Sequence, residues 1–95
     1  MNIEMKPHNP RIPFRSGFLS VQASEYNYCS PKHNQGPYFS YELAFFNERD
    51  DFAKIPELEP NGDQVYGYVD KVIVIELLEQ EGYTPHQIKE MLPDE

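Results

Sequence analysis

Residues 38–46 read YFSYELAFF, and the reading of this stretch decides the fold. Apolar side chains alternate with small or polar ones, and no Gly or Pro interrupts them. A period of two is that of a strand, in which successive side chains point to opposite faces. Phe39, Tyr41, Leu43 and Phe45 then share one face, and Tyr38, Ser40, Glu42 and Ala44 the other. Residues 18–29, FLSVQASEYNYC, carry the same signature. Leu19, Val21 and Ala23 hold one phase before the apolar positions switch to Tyr26 and Tyr28. One inserted residue resets which face a side chain takes, so a β-bulge is expected near Ser24 or Glu25. Between the two runs lie the turn formers SPKHNQGP, which close a long antiparallel hairpin.

Downstream, residues 47–64 read as a connector, broken by Pro56, Pro60 and the Asn61-Gly62-Asp63 turn. Phe52, Ile55 and Leu58 are spaced to pin it to the core. Residues 65–69, VYGYV, suit a short third strand. Residues 69–81, VDKVIVIELLEQE, hold a β-branched cluster, Val72 to Ile75, that fits a strand. Their length, Asp70 at the start and Gly82 just past the end favour a helix. That helix is apolar nearly all round and is expected to be well buried. The last element is explicit: Thr84 is an N-cap, Pro85 stands at N1, and Gln87 at N3 completes a capping box. Tyr83 and Ile88 are set for a hydrophobic staple, Ile88, Met91 and Leu92 form the stripe, and Pro93 stops the helix.

The fold class that follows is α+β: a small antiparallel sheet, made of the hairpin and a third strand, packed against two C-terminal helices. The expected core is Leu19, Val21, Phe39, Tyr41, Leu43, Phe45, Val72, Ile73, Leu77, Ile88 and Leu92. Residues 1–17 form a Pro-rich basic arm, with Pro7, Pro10 and Pro13 enforcing extended backbone. It is expected either to lie on the domain or be partly disordered, or to reach a partner or a second copy of the chain with Phe14 as its anchor. Residues 18–95 form a single acidic domain. A chain of 95 residues has room for one core and buries only about 60–65% of its unfolded surface.

Charge is the strongest functional signal. Fourteen of the sixteen acidic residues follow position 37, against four basic ones, so residues 38–95 carry −10 and residues 1–37 carry +2. The resulting −8 opposes direct contact with nucleic acid or with an anionic membrane surface. Residues 69–92 have the outline of a helix-turn-helix, but Glu76, Glu79, Glu81 and Glu90 face any phosphate. They read as a packed αα-corner. One cysteine, Cys29, excludes an internal disulfide, no apolar run approaches the length of a membrane span, and a soluble, cytoplasmic protein is expected.

No reactive constellation emerges. Cys29 with His33 or His8 lacks a third group to orient the imidazole. A zinc site from the same residues lacks the second close ligand pair. The run Asp50, Asp51, Glu57, Glu59 and Asp63 lacks the alternating carboxylates of a calcium loop. No catalytic residue, metal or cofactor is therefore expected. The expectation is a non-catalytic binding module, an inhibitor of the type phages and mobile elements use, docking on a basic protein that handles nucleic acid. Its partner-binding residues are Glu42, Glu48, Asp50, Asp51, Glu57, Glu59 and Asp63, with Tyr38 beside them. The alternatives are a homodimer or adaptor built through the hairpin edge or the arm, and a small metal- or thiol-dependent enzyme.

Overall fold

The computed structural model describes residues 7–61 and 64–94. The fold is α+β: among the described residues, an antiparallel sheet of five strands is followed by two helices. The strands are β1 (Ile12–Phe14), β2 (Gly17–Gln22), β3 (Ser40–Phe46), β4 (Phe52–Ala53) and β5 (Tyr66–Asp70); the helices are α1 (Lys71–Gln80) and α2 (Pro85–Met91). β3 lies at the centre. β2 pairs with one of its edges, while β4 and β5 share the other, β4 at Phe45 and Phe46 and β5 between Ser40 and Leu43.

Register sorts the side chains. Leu19 lies opposite Phe45, Val21 opposite Leu43, Ile12 opposite Leu19, and Tyr41 opposite Val69. Opposed residues of an antiparallel pair share a face. All of these belong to the buried core, together with Phe14, Ile55, Tyr66, Val74, Leu77, Leu78, Ile88 and Leu92. The helices therefore cover this inner face, and the alternate positions face away from them.

Several expectations change. The switch of apolar phase after Ala23 marks the end of a strand, not a bulge: β2 stops at Gln22, and the Ser24 hydroxyl accepts the Tyr26 N–H in a tight turn. The bulge lies in β5, where Tyr41 faces Val69 but Leu43 faces Tyr66, leaving an extra residue opposite Glu42. Tyr68 sits there at φ 55, a conformation an L-residue adopts with some strain. The connector is not free of regular structure, because its Phe52 and Ala53 form β4. Phe52 points outward at 46% exposure, while Ile55 is buried and its N–H donates to the Tyr66 hydroxyl at 2.8 Å. Residues 12–14 of the Pro-rich leader pair with β2, and the two strands are joined by Arg15 and Ser16.

Phe39 was expected inside and is 72% exposed. It precedes β3, at the end of the sheet, with its carbonyl accepting the Lys71 N–H where β5 gives way to α1. Val72 and Ile73 are likewise exposed, at 65% and 37%. A short helix on one side of a sheet buries a single stripe, here Val74, Leu77 and Leu78, whatever its composition elsewhere. Its end is a Schellman motif: the Gly82 N–H donates to Glu79 O, the Tyr83 N–H to Leu78 O, and Gly82 has φ 90. The capping box of α2 is present in both directions, Thr84 to Gln87 and back. The end of the chain is clamped, since the Asp94 carboxylate accepts from the Tyr41 hydroxyl and from Lys71 Nζ at 2.9 Å. Burial first, and the Asp94 contact second, push the Tyr41 hydroxyl far above its ordinary range, so it stays a donor.

The helix stripe is directly testable. Leu78→Ala should lose about 2–5 kcal/mol in chemical denaturation, whereas Val72→Ala should stay within about 0.5 kcal/mol of wild type. Equal losses would mean that α1 is rotated from this placement. Ser40 supplies a second check, because its buried hydroxyl has no hydrogen-bond partner among the described residues. Ser40→Ala should be neutral or stabilising.

Candidate interaction surface

The outer face carries a line of apolar residues that crosses four strands. Pro13 lies opposite Phe18, Phe18 opposite Phe46, and Phe46 opposite Phe52. Pro13, Phe18 and Phe46 are each one position from a core residue on their own strand, and Phe52 is one position from Ala53, which packs against the core, so the row points away from the helices. Phe18 is 42% exposed and Phe52 46%, while Phe46 is half-buried between them. The Phe46 and Phe52 ring centroids are 4.7 Å apart with the planes tilted by 39°. Over the Phe46 ring, 3.9 Å from its centroid, stands the Arg11 guanidinium carbon. Elsewhere on this face Ser20, Gln22, Ser40 and Ala44 are buried, so the exposed apolar area is confined to Phe18, Phe52 and the half-buried Phe46 between them, a patch that a partner can bury.

A carboxylate-bearing turn borders this row. Asn47 organises it: its side-chain oxygen accepts the Arg49 N–H at 2.9 Å and the Asp51 N–H at 3.0 Å, and its carbonyl accepts the Asp50 N–H at 3.0 Å. Asp50 sits at φ 66, a left-handed conformation that Asp tolerates better than most residues. The turn thus places Glu48, Asp50 and Asp51 together beside Phe46 and Phe52. Asp50 pairs with Arg11. Glu48 and Asp51 are exposed and make no ion pair among the described residues.

The other expected partner-binding residues separate. Glu57, on the connector, holds the Arg15 guanidinium with both oxygens, and Glu81 accepts the Arg15 backbone N–H at 2.5 Å. The hydrogen bonds from Arg15 hold the Glu57 carboxyl below its ordinary range. Glu59 is exposed on the same connector. Glu42 is half-buried and serves the fold, accepting from the Tyr28 N–H at 3.0 Å and from the Asn27 amide at 3.2 Å. Tyr38 is only 1% exposed and its hydroxyl donates to the His33 carbonyl at 2.7 Å, so its ring offers nothing to a partner. Asp63 lies outside the described residues.

The acidic turn was legible in sequence; Phe18, Phe46, Phe52 and Arg11 were not. Their juxtaposition depends on register across four strands, one of them two residues long. The one local hint was the Phe45-Phe46 pair, in which strand alternation must expose one ring when it buries the other. Arg11 and Arg15 belong to the basic leader, and both are spent on carboxylates of the acidic part. The coat is thereby partly neutralised at Asp50 and Glu57 and left open at Glu48, Asp51 and Glu59.

Other exposed apolar residues, Tyr26, Tyr28, Phe39 and Tyr68, lie around the far end of the sheet. The Tyr28 and Tyr68 rings are 6.0 Å apart there, and Lys32 stands 5.3 Å over Tyr28. Cys29 is buried, its Sγ within 3.3 Å of the Ser24 carbonyl. Among the described residues, no three His, Cys, Asp or Glu side chains converge as metal ligands, and no helix is long and apolar enough to cross a membrane. Comparisons with protein-family models, with curated proteins and with solved structures return no match for this chain.

The Arg15–Glu57 contact carries a pH signature. A carboxyl held below its ordinary range adds stability that is complete above the unfolded value, near about 4.3, and is lost as pH falls through the lower folded value. Arg15→Gln should therefore melt below wild type at neutral pH, and the gap should close as the solution is acidified below that window. A gap in Tm that stays constant with pH would contradict this assignment.

Proposed function

We propose that this chain is a non-catalytic binding module that docks the outer face of its sheet on a basic protein, one that handles nucleic acid, and inhibits it. The observation that carries the reading is the Phe18–Phe46–Phe52 row, exposed at Phe18 and Phe52, with Glu48 and Asp51 at its border making no ion pair among the described residues. An apolar centre with a charged rim is the anatomy of a protein interface, in which buried aromatic anchors supply most of the affinity. Rim carboxylates steer a positively charged partner and raise its rate of encounter. A surface that takes a phosphate backbone is strongly basic and so suits a chain of charge −8, which would displace the nucleic acid there.

Self-association through the hairpin edge has less support, because β1 already pairs with the outer edge of β2, and β1's own edge is partly engaged. The Pro13 carbonyl already accepts the Tyr83 hydroxyl, and the Arg15 N–H is taken by Glu81.

The test uses immobilised chain against purified candidate nucleases and other nucleic-acid-binding proteins, each with and without its own substrate. A true partner should be basic, should be released as salt rises from low to physiological, and should lose the module to competing nucleic acid. Phe52→Ser, and separately Glu48→Lys with Asp51→Lys, should each weaken the complex by about tenfold or more, a free-energy loss of about 1.4 kcal/mol. Binding indifferent both to salt and to these substitutions would overturn the proposal.

A further inference from the structure

From the seating of Arg11 we infer that Phe46, Phe52 and Asp50 form a guanidinium seat, occupied in the free protein by Arg11 and taken over by an arginine of the partner. This deepens the proposed function and rests on it. Three features make the seat. The Phe46 ring offers its face, with a guanidinium carbon 3.9 Å from the centroid, a distance at which cation and π system attract. The Phe52 ring packs against Phe46, 4.7 Å away with the planes tilted by 39°, and so holds the Phe46 ring in place. Asp50 accepts from Arg11 Nη1 through one carboxylate oxygen, and its position is built rather than incidental. The Asn47 turn fixes it through three hydrogen bonds and holds Asp50 in the left-handed region. A planar, delocalised and weakly hydrated cation can lie flat on the ring while donating to the carboxylate; an ammonium can make both contacts, but as a strongly hydrated point charge that does not stack.

The occupant is replaceable. In the Arg11–Asp50 pair the side chains are 41% and 71% exposed, so solvent screens the contact and exchange for an equivalent cation costs little. Arg11 also stands outside the β1 pairing, which begins at Ile12, so its side chain can leave without opening the sheet. The partner is therefore a protein that presents arginine, in preference to lysine, to this face.

The experiment compares a short arginine–glycine peptide with a lysine–glycine peptide of equal charge, titrated into wild type, Arg11→Ala, Arg11→Gln, and Arg11→Ala combined with Asp50→Asn. Asn also tolerates the left-handed backbone, so the last change removes charge and spares the turn. Emptying the seat should tighten the arginine peptide by about threefold and produce a preference over lysine that Asp50→Asn abolishes. In wild type, the arginine side-chain NMR signal of Arg11 should become mobile as the arginine peptide is added. If Arg11→Ala loses cooperative unfolding, Arg11→Gln and the wild-type NMR signal carry the test. Equal, salt-sensitive binding of both peptides by every variant would overturn the seat while leaving acidic docking intact. Failure of both peptides to bind any variant would likewise overturn the seat, whereas the docking proposal stands or falls on the binding test with purified proteins.

Discussion

Strand β3 is hydrogen-bonded along both edges, and every other element takes its position from it. Its alternation is the governing constraint. Tyr41, Leu43 and Phe45 must enter the core if Glu42, Ala44 and Phe46 are to face out, and a slip of one residue would exchange the two sets. Once that register is fixed, Leu19 and Val21 of β2 and Val69 and Tyr66 of β5 line up on the inner face, where Val74, Leu77, Leu78 and Ile88 close over them. The same register lines up the outer face and brings Phe18, Phe46 and Phe52 into a row. Core and candidate site are two sides of one pairing pattern.

The distribution of charge follows from that frame. Read as a string, the chain divides into a basic leader and an acidic remainder. Folded, the leader's β1 lies against β2, and its arginines reach the acidic turn and connector at Asp50 and Glu57. Exposed ion pairs of this kind contribute about 0–1 kcal/mol each, so their weight for stability is small. Their effect on the surface is larger, because they decide which carboxylates remain open to a partner. Glu48, Asp51 and Glu59 stay open; Asp50 is held in reserve under Arg11.

Much of the fold was written in local signals. The alternation of residues 38–46, the capping box at Thr84 and Gln87, and the glycine stop at Gly82 each depend on neighbours in sequence, and each appears in the structure. What was hidden depends on distant partners. β4 is two residues long between turn formers and exists only because Phe45 and Phe46 lend it a ladder. α1 is β-branched and apolar at nearly every position of its first half, so composition conceals which stripe is buried. Only the path of β5 into Lys71 sets that rotation. The acidic half of the site was legible because carboxylates cluster at Glu48, Asp50 and Asp51. Its aromatic half was not, since Phe18, Phe46 and Phe52 come from three strands.

The central claim is that the outer face of the sheet, not the helices, meets the partner. Amide chemical-shift mapping tests it most directly, with the arginine–glycine peptide titrated into isotope-labelled protein at low salt. The account predicts that the largest shifts fall on Phe18, Phe46, the turn from Asn47 to Asp51, and Phe52. Shifts concentrated instead on Glu76, Glu79 and Glu90 of the helices, or spread evenly over all exposed carboxylates, would contradict it.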